Sequence, residues 1–553
     1  MSVRSAWGWL GSAYFPAVTY LGALVCVNIV PFVLYFDVPL YYDEALFLVF
    51  GDHLAQGVEL YGEIADHKPP GIFFVATALD RLFPEPHVAG RVTVYVVHLL
   101  TAGGIGYIAA RLRSTRSGAV ASLLYLGGVY LPHFAGYFFL TEPFANLFLV
   151  LATVALFSRQ VLGGVLAGVS LAIAGLFNQI SLLIGLPVLC LLALEWRRDG
   201  GSLARNLVLL VAIGVGFLVP LSVAAWYFIS AGTLDEAVRY TIIIPLTGYD
   251  TPFGVFGHVI ALFSFLPVWV LVLVGLARVV RGYTERGRLD PQVTFLLFWL
   301  FLLGLPGATS LGGDHKLLFA FPPACIVAAS VIEDGYEWMT RLETRERAGD
   351  RTSGPGVVPR HRLRAGSVVA IVGILVLSGA ANGLALAEVI EGSTADQAEA
   401  SGEIDSLIEG RAYTLPFRHY VYYFSEKVEP PRTFLGLPYS DTLTREIVRD
   451  LEEQRVEYIL VPANRVTEEN TIENVGLFLE ARERIIDYAN DNYRYEARTE
   501  RFVIFKREDS GGEDPPTEAS NFMEERQRTS PRDTDLGEEP SVLYFHGQIG
   551  RVD

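Results

Sequence analysis

Apolar runs long enough to cross a bilayer recur through the first two thirds of this chain, and that recurrence constrains its class more than any motif does. A hydrocarbon core about 30 Å thick requires about 20 predominantly apolar helical residues. Eleven such runs can be read, at about 15–36, 89–110, 117–135, 142–158, 161–177, 179–195, 206–229, 258–279, 292–311, 315–333 and 366–388. Of the 553 residues, 51% are hydrophobic, and the mean hydropathy is +0.36, a combination soluble domains rarely reach. The expected fold is an α-helical polytopic membrane protein of about 11 transmembrane helices. The first run is too long for a signal peptide and carries no small-residue cleavage site.

Basic residues set the orientation, because cytoplasmic loops carry an excess of Lys and Arg. Arg111, Arg113 and Arg116 follow the second run, and Arg197, Arg198 and Arg205 surround the loop after the sixth. Arg278, Arg281, Arg286 and Arg288 follow the eighth. Arg341, Arg345, Arg347, Arg351, Arg360, Arg362 and Arg364 lie between the tenth and eleventh. All four loops share one side if the N-terminus is cytoplasmic, which places the C-terminal part outside the cell membrane. A multi-pass protein of the plasma membrane is expected.

Nearly all of the formal net charge of -17 lies after residue 388. Lysine is scarce: only Lys68, Lys316, Lys427 and Lys506 stand among the 43 basic residues. An acidic external surface with little lysine points to a protein solvated in high salt, as in a halophilic archaeon. Cys26, Cys190 and Cys325 all sit within apolar runs, so no external disulfide or thiolate metal site is expected.

The membrane part is expected over 1–388. External loops at about 37–88 and 230–257 interrupt it, and the first is too long for a simple connector. That loop holds two amphipathic stretches, about 44–57 and 71–83, expected as short helices on the membrane surface. Over 389–507, β-like runs at Tyr413–Leu415, Tyr458–Val461 and Phe502–Phe505 alternate with helical patterns at about 396–409, 442–454 and 472–489. A small extracytoplasmic α/β domain is expected there. The tail, 508–553, is acidic and rich in Pro, Ser and Gly, and is expected to be disordered. Gly163, Gly164 and Gly168 read as helix-packing positions, not as a nucleotide loop.

The first external loop carries most of the chemistry. It reads Tyr41-Tyr42-Asp43-Glu44, then Gly57, Leu60-Tyr61, then Asp66-His67-Lys68-Pro69-Pro70. Taken alone, adjacent carboxylates near a membrane boundary are more often solvated than catalytic. The remainder of the loop changes that balance. An Asp near the membrane plane can take a proton from an acceptor hydroxyl. A Lys 25 residues later, followed by two prolines, can offset the charge on a phosphate leaving group. Transfer from a lipid phosphate would need that acid and that cation.

This pattern resembles the first external loop of the GT-C glycosyltransferases, among them the dolichyl-phosphate-mannose–protein mannosyltransferases and the lipid A aminoarabinose transferases. Thr141-Glu142-Pro143 opens the fourth run, where the family has a second acidic residue. Gly232-Thr233-Leu234-Asp235 opens the external loop after the seventh run, as a similar stretch does in these enzymes. Gly313-Asp314-His315, followed by Phe321-Pro322-Pro323, resembles a late segment of the family, and the external α/β domain also fits. The resemblance covers about residues 15–507.

It implies a catalytic acid/base at Asp43, supported by Glu44. Lys68 would bind the donor phosphate, with His315 lining the donor side. Glu142 would be the second acidic residue on the acceptor side, with Asp66 beside it. Two departures stand out: Lys316 occupies a position where the family usually has Tyr, and Asn178-Gln179 occupy one where it has Lys. Lys316 or Arg239 would then complete the cations around the phosphate. The donor would be a polyprenyl- or dolichyl-phosphate-linked sugar, a hexose such as mannose. The acceptor would be a surface glycan, glycoprotein or glycolipid, with membrane lipid as the surroundings.

No nucleic-acid partner is expected, and there is no P-loop, dinucleotide fingerprint or His-Glu-x-x-His helix. No cofactor is required. Asp43, Glu44 and Glu142 could offer oxygens to a divalent cation, but the sequence demands none. The competing expectation is a multi-span transporter or lipid-linked sugar flippase, against which stand the few charges within the runs and the absence of a clear inverted repeat. A surface assembly protein that keeps the fold without activity is a third.

Overall fold

The computed structural model describes residues 20–199, 203–247, 263–347 and 378–508, short breaks within these ranges apart. Most of the expected 366–388 run, Gly313, Arg351, Arg360, Arg362, Arg364 and the expected tail beyond Glu508 lie outside the described residues.

Among the described residues five helices are long and apolar enough to cross a membrane: Pro86–Leu112, Gln179–Arg197, Leu203–Ala231, Leu266–Glu285 and His315–Trp338. Shorter apolar helices cover Gly22–Tyr35, Thr141–Phe157, Val161–Phe177 and Pro291–Leu305. All lie on runs marked in the sequence. Two spans open on 3-10 turns, Gln179–Ile184 and Asp314–Ala320, which hydropathy does not reveal. The expected 117–135 run ends early: its helix stops at Val129, and a separate 3-10 turn, Pro132–Phe134, follows. Pro132 lacks the N–H that a continuing helix would use.

In chain order the elements around the site are α1 (Gly22–Tyr35), α2 (Tyr42–Ala55), α3 (Gly71–Leu82), α4 (Pro86–Leu112), α5 (Thr115–Val129), α6 (Thr141–Phe157), α7 (Val161–Phe177), α8 (Gly185–Asp199), α9 (Leu203–Ala231) and α10 (Leu234–Val238). Local signals start several of them. Pro86 opens α4, where a missing N–H costs nothing. Ser114 caps α5 by accepting from the Ser117 amide at 3.1 Å.

Where two helices must approach closely, the chain uses glycine. A Cβ on Gly168 of α7 would lie 1.9 Å from the Ile213 carbonyl oxygen of α9, and one on Gly216 would lie 2.0 Å from the Val165 oxygen. Lipid offers no hydrophobic drive between helices, so this close backbone packing provides the attraction. Gly168 is thus a packing position, as its sequence context suggests.

The stretches expected to lie on the membrane surface are indeed helical, as α2 and α3, but α2 is buried on every side. Asp43 through Gly51 and Leu54 are all buried. Phe50 stacks on Phe73 of α3 at 4.4 Å, and a Cβ on Gly51 would meet the Ala76 backbone at 2.7 Å. A helix covered by protein along nearly its whole length lies in an interior, which corrects the surface placement.

The C-terminal region carries a five-stranded sheet in the order β2-β1-β3-β5-β4, with β1 Gly410–Thr414, β2 Val428–Glu429, β3 Tyr458–Pro462, β4 Tyr493–Arg498 and β5 Phe502–Arg507. Strand β1 is parallel to β2 and β3, and β5 is antiparallel to β3 and β4. Helices Thr394–Asp405, Asp441–Glu453 and Leu479–Asn492 accompany it. Successive strand residues face opposite ways. Ala412, Tyr458, Leu460 and Ile504 join the apolar core of the membrane bundle. Tyr413, Ile459, Val461, Val503 and Phe505 form a second core with Ile447, Leu451 and Ile485.

This sheet region sits at one end of α4, where the Tyr423 hydroxyl meets the His87 amide at 3.3 Å. At the other end, about 40 Å away for 27 residues, Arg113 pairs with Asp334, which also holds Arg278 at 2.8 Å. Two of the basic loops read from the sequence therefore meet at the end of the bundle remote from the sheet.

Candidate active site

The junction of α1 and α2 builds the site. Asp43 and Glu44 occupy the first turn of α2, where the helix dipole favours acids. Glu44 Oε2 also accepts from the Tyr41 amide at 3.3 Å, which fixes where the helix begins. The two adjacent carboxylates then part company.

Glu44 is fully buried and bound to Arg91 of α4, with Arg91 Nε 3.2 Å from Oε1 and Nη2 3.0 Å from Oε2. The Phe139 amide donates to Oε1 at 3.2 Å. Arg91 spends its remaining donors on the carbonyls of Tyr35, Phe36 and Pro39 at 3.3, 2.8 and 3.3 Å. With both oxygens engaged in this way, Glu44 is a structural anchor. Arg91 was missed in the sequence, although a lone guanidinium inside an apolar run is itself a signal.

Asp43 faces Lys68, with Oδ2 3.8 Å from Nζ and only about a tenth of each side chain exposed. Lys68 is held by its backbone: its amide donates to Asp66 Oδ1 at 2.7 Å, and its carbonyl accepts from the Tyr61 hydroxyl at 2.7 Å. Tyr61 is buried in a left-handed conformation, φ 65°, a strained state stabilised by its surroundings. Asp66 is fully buried, and its Oδ2 has no hydrogen-bond partner among the described residues. Burial raises its carboxyl to about 7; the charge and amide of Lys68 pull the other way, and Asp43 adds to the rise. His67, between them, is held well below its ordinary value by burial and then by the charges of Lys68 and Lys316.

The far wall comes from α6, α7 and the turn Asp314–Ala320. Glu142, in the first turn of α6, lies 3.8 Å from His315 Nε2. The Asn178 amide donates to Glu142 Oε1 and to Thr141 Oγ1, each at 3.0 Å, and Gln179 donates to the His67 carbonyl at 3.4 Å. Asn178 and Gln179, noted in the sequence as departures, thus tie the Glu142 wall to the Lys68 loop. The His315 ring meets Tyr41 edge-on at 6.1 Å. Lys316 lies within electrostatic reach of Lys68, Glu142 and Asp43.

The structure therefore brings Asp43, Asp66, Lys68, Glu142, His315 and Lys316 into one buried cluster. Arg239 stands on the π-turn after α10, exposed, with its guanidinium 6.0 Å from the centre of the Tyr240 ring, which stacks on Tyr61 at 6.4 Å. Among the described residues, no three His, Cys, Asp or Glu side chains converge as ligands for a metal ion.

The architecture matches solved structures. ArnT from Cupriavidus metallidurans, a lipid A aminoarabinose transferase solved bound to undecaprenyl phosphate, superposes with a TM-score of 0.58 at 16% identity, over 91% of this chain and 100% of that one. The oligosaccharyltransferase of Archaeoglobus fulgidus, tethered to an acceptor peptide, gives a TM-score of 0.52 at 11% identity, over 90% of this chain and 75% of that one. The fold is that of the GT-C enzymes. The archaeal oligosaccharyltransferase AglB of the same organism, in complex with an inhibitory peptide and a dolichol-phosphate, gives 0.51 at 10% identity, over the same shares. No family model and no curated protein matches the sequence.

Proposed function

We propose that this GT-C protein is a membrane glycosyltransferase that moves a single sugar, a hexose such as mannose, from a polyprenyl or dolichyl phosphate to a glycan, glycoprotein or glycolipid outside the membrane. The observation that carries the reading is the pair of Asp43 and Lys68, 3.8 Å apart and largely buried where the bundle meets the sheet region. An acid alone would not single out a phosphate donor; an acid opposed by a cation suits one. Solved proteins of this fold hold undecaprenyl phosphate and dolichol-phosphate, which supports a lipid-phosphate donor.

In the resting pocket Lys68 and Asp43 partly neutralise each other. The donor phosphate would take over Lys68 and release Asp43 to accept a proton. Asp43 then removes the proton from the acceptor hydroxyl, whose oxygen bonds to the anomeric carbon on the face opposite the phosphate. The bond from that carbon to the phosphate oxygen breaks, and polyprenyl phosphate leaves with its added charge offset by Lys68. The anomeric centre inverts. Lys316 adds a second positive charge to the same pocket, with Asn178 and Gln179 as neutral donors along its wall.

The test is a donor assay. Purified protein and its Asp43→Ala variant are incubated with radiolabelled polyprenyl-phosphate sugars and a membrane extract containing native acceptors. Label should leave the lipid only with the wild type, and the donor consumed identifies the sugar. If no donor is consumed and proteoliposomes carrying the protein move a labelled substrate across the bilayer, the chain is a transporter and the proposal fails.

A further inference from the structure

We infer that Gln397 and His419, both from the C-terminal α/β region, are positioning residues for Asp43. The inference rests on the reading of Asp43 as the proton acceptor.

The connection between α1 and α2 has no regular structure before Tyr42, yet it must hold the first turn of α2 in place. Two grips fix it. From the bundle, Arg91 takes the carbonyls of Phe36 and Pro39. From the opposite side, the Gln397 amide engages both backbone groups of one residue: the Leu40 amide donates to Oε1 at 2.7 Å, and Nε2 donates to the Leu40 carbonyl at 3.2 Å. Thr394 extends the grip, its amide donating to the Asp37 carbonyl at 3.2 Å. His419 completes it at Tyr42, the residue before Asp43, with Nδ1 3.2 Å from the carbonyl oxygen. A carbonyl only accepts, so Nδ1 bears the proton there.

Gln397 is 6% exposed and His419 2%. A buried amide is costly unless its donor and acceptor are both used. Those of Gln397 are used on a residue 357 positions away, three before Asp43. Asp43 itself is held less tightly, by a 3.8 Å contact that the donor phosphate would loosen. The backbone must then supply the positional precision, and a misplacement of about 1 Å can cost about a hundredfold in rate.

The test uses the full-length purified protein. Gln397→Ala should lower kcat about tenfold to a hundredfold, leave the donor KM within about twofold, and speed amide exchange across 37–42. Gln397→Glu gives a second readout, because its protonated acid restores one donor and one acceptor. Its kcat relative to wild type should rise as the pH falls, a response that general loss of packing would not produce. Unchanged kcat and unchanged exchange in both variants overturn the inference while the wild type still turns over. If the wild type consumes no donor, the enzyme reading falls and the inference falls with it, whatever the exchange shows.

Discussion

Arg91 and Glu44 meet fork to fork inside the bundle, with nitrogen–oxygen distances of 3.2 and 3.0 Å and at most 1% of either side chain exposed. The pair joins α4 to α2, and three backbone carbonyls at the end of α1 complete the guanidinium's partners. Removing one member strands a buried charge, a loss of about 3–5 kcal/mol. Arg91→Met should therefore lower the thermal unfolding midpoint in detergent sharply. Arg91→Lys should recover little of it, since one ammonium cannot reproduce the planar fork. The double variant Arg91→Met with Glu44→Leu should recover more than Arg91→Lys. A midpoint unmoved by Arg91→Met would refute the anchoring role.

In the proposed reaction Lys68 binds the donor phosphate. Lys68→Ala is expected to weaken binding of sugar-free polyprenyl phosphate about tenfold or more, in line with the loss of a charge-assisted contact in a dry pocket. Titration calorimetry on the purified protein reads this without turnover. Equal affinity in the two proteins would take Lys68 out of the phosphate site.

Asp66 should impose a pH dependence of the less common sign. Its carboxyl is raised from 3.8 to about 7 in the fold. Between those values the native state keeps a proton that the unfolded chain releases, so stability falls as pH rises. The contribution is fully present below about pH 4 and is lost as pH passes through about 7. Asp66→Asn cannot titrate, so its unfolding midpoint should decline less than that of wild type between pH 5 and 7.5, roughly the upper part of that window. Parallel midpoint curves for the two proteins would show that Asp66 is already ionised.

Gly168 tests the contact between α7 and α9. Valine there would drive a side chain into the Ile213 carbonyl, and overpacking of this kind costs about 1–3 kcal/mol or more. Gly103→Ala in α4 is the control, since a Cβ there meets nothing within 4 Å, and helix propensity favours alanine. Equal midpoints for Gly168→Val and wild type would show that the two backbones can separate at no cost.

What was legible in the sequence followed from physics that acts locally. Bilayer thickness dictates run length, so the positions of α4, α6, α7 and α9 could be read directly. The short β-like runs at β1, β3 and β5 were also visible. Strand β2, two residues long, left too short a pattern to detect. The surface placement of α2 failed because hydropathy cannot tell lipid from protein as the apolar surroundings. Asp43 and Lys68 were paired by the chemistry a lipid-phosphate donor would need and by family resemblance, since the 24 residues between them carry no distance information. The Arg91 partner of Glu44 went unread because it lies 47 residues away on another helix. Gln397 gave no signal at all: its partners are two backbone groups, which no sequence pattern encodes.

The cluster holds Lys68 and Lys316, two of the four lysines in the whole chain, while Lys427 and Lys506 belong to the sheet region. Amine-directed labelling would thus report on this site against an almost blank background. A mild acylating reagent followed by peptide mapping gives four lysine sites to follow. Protection of the two pocket amines by a bound lipid phosphate could be read with Lys427 as an internal standard, without introducing a single probe residue.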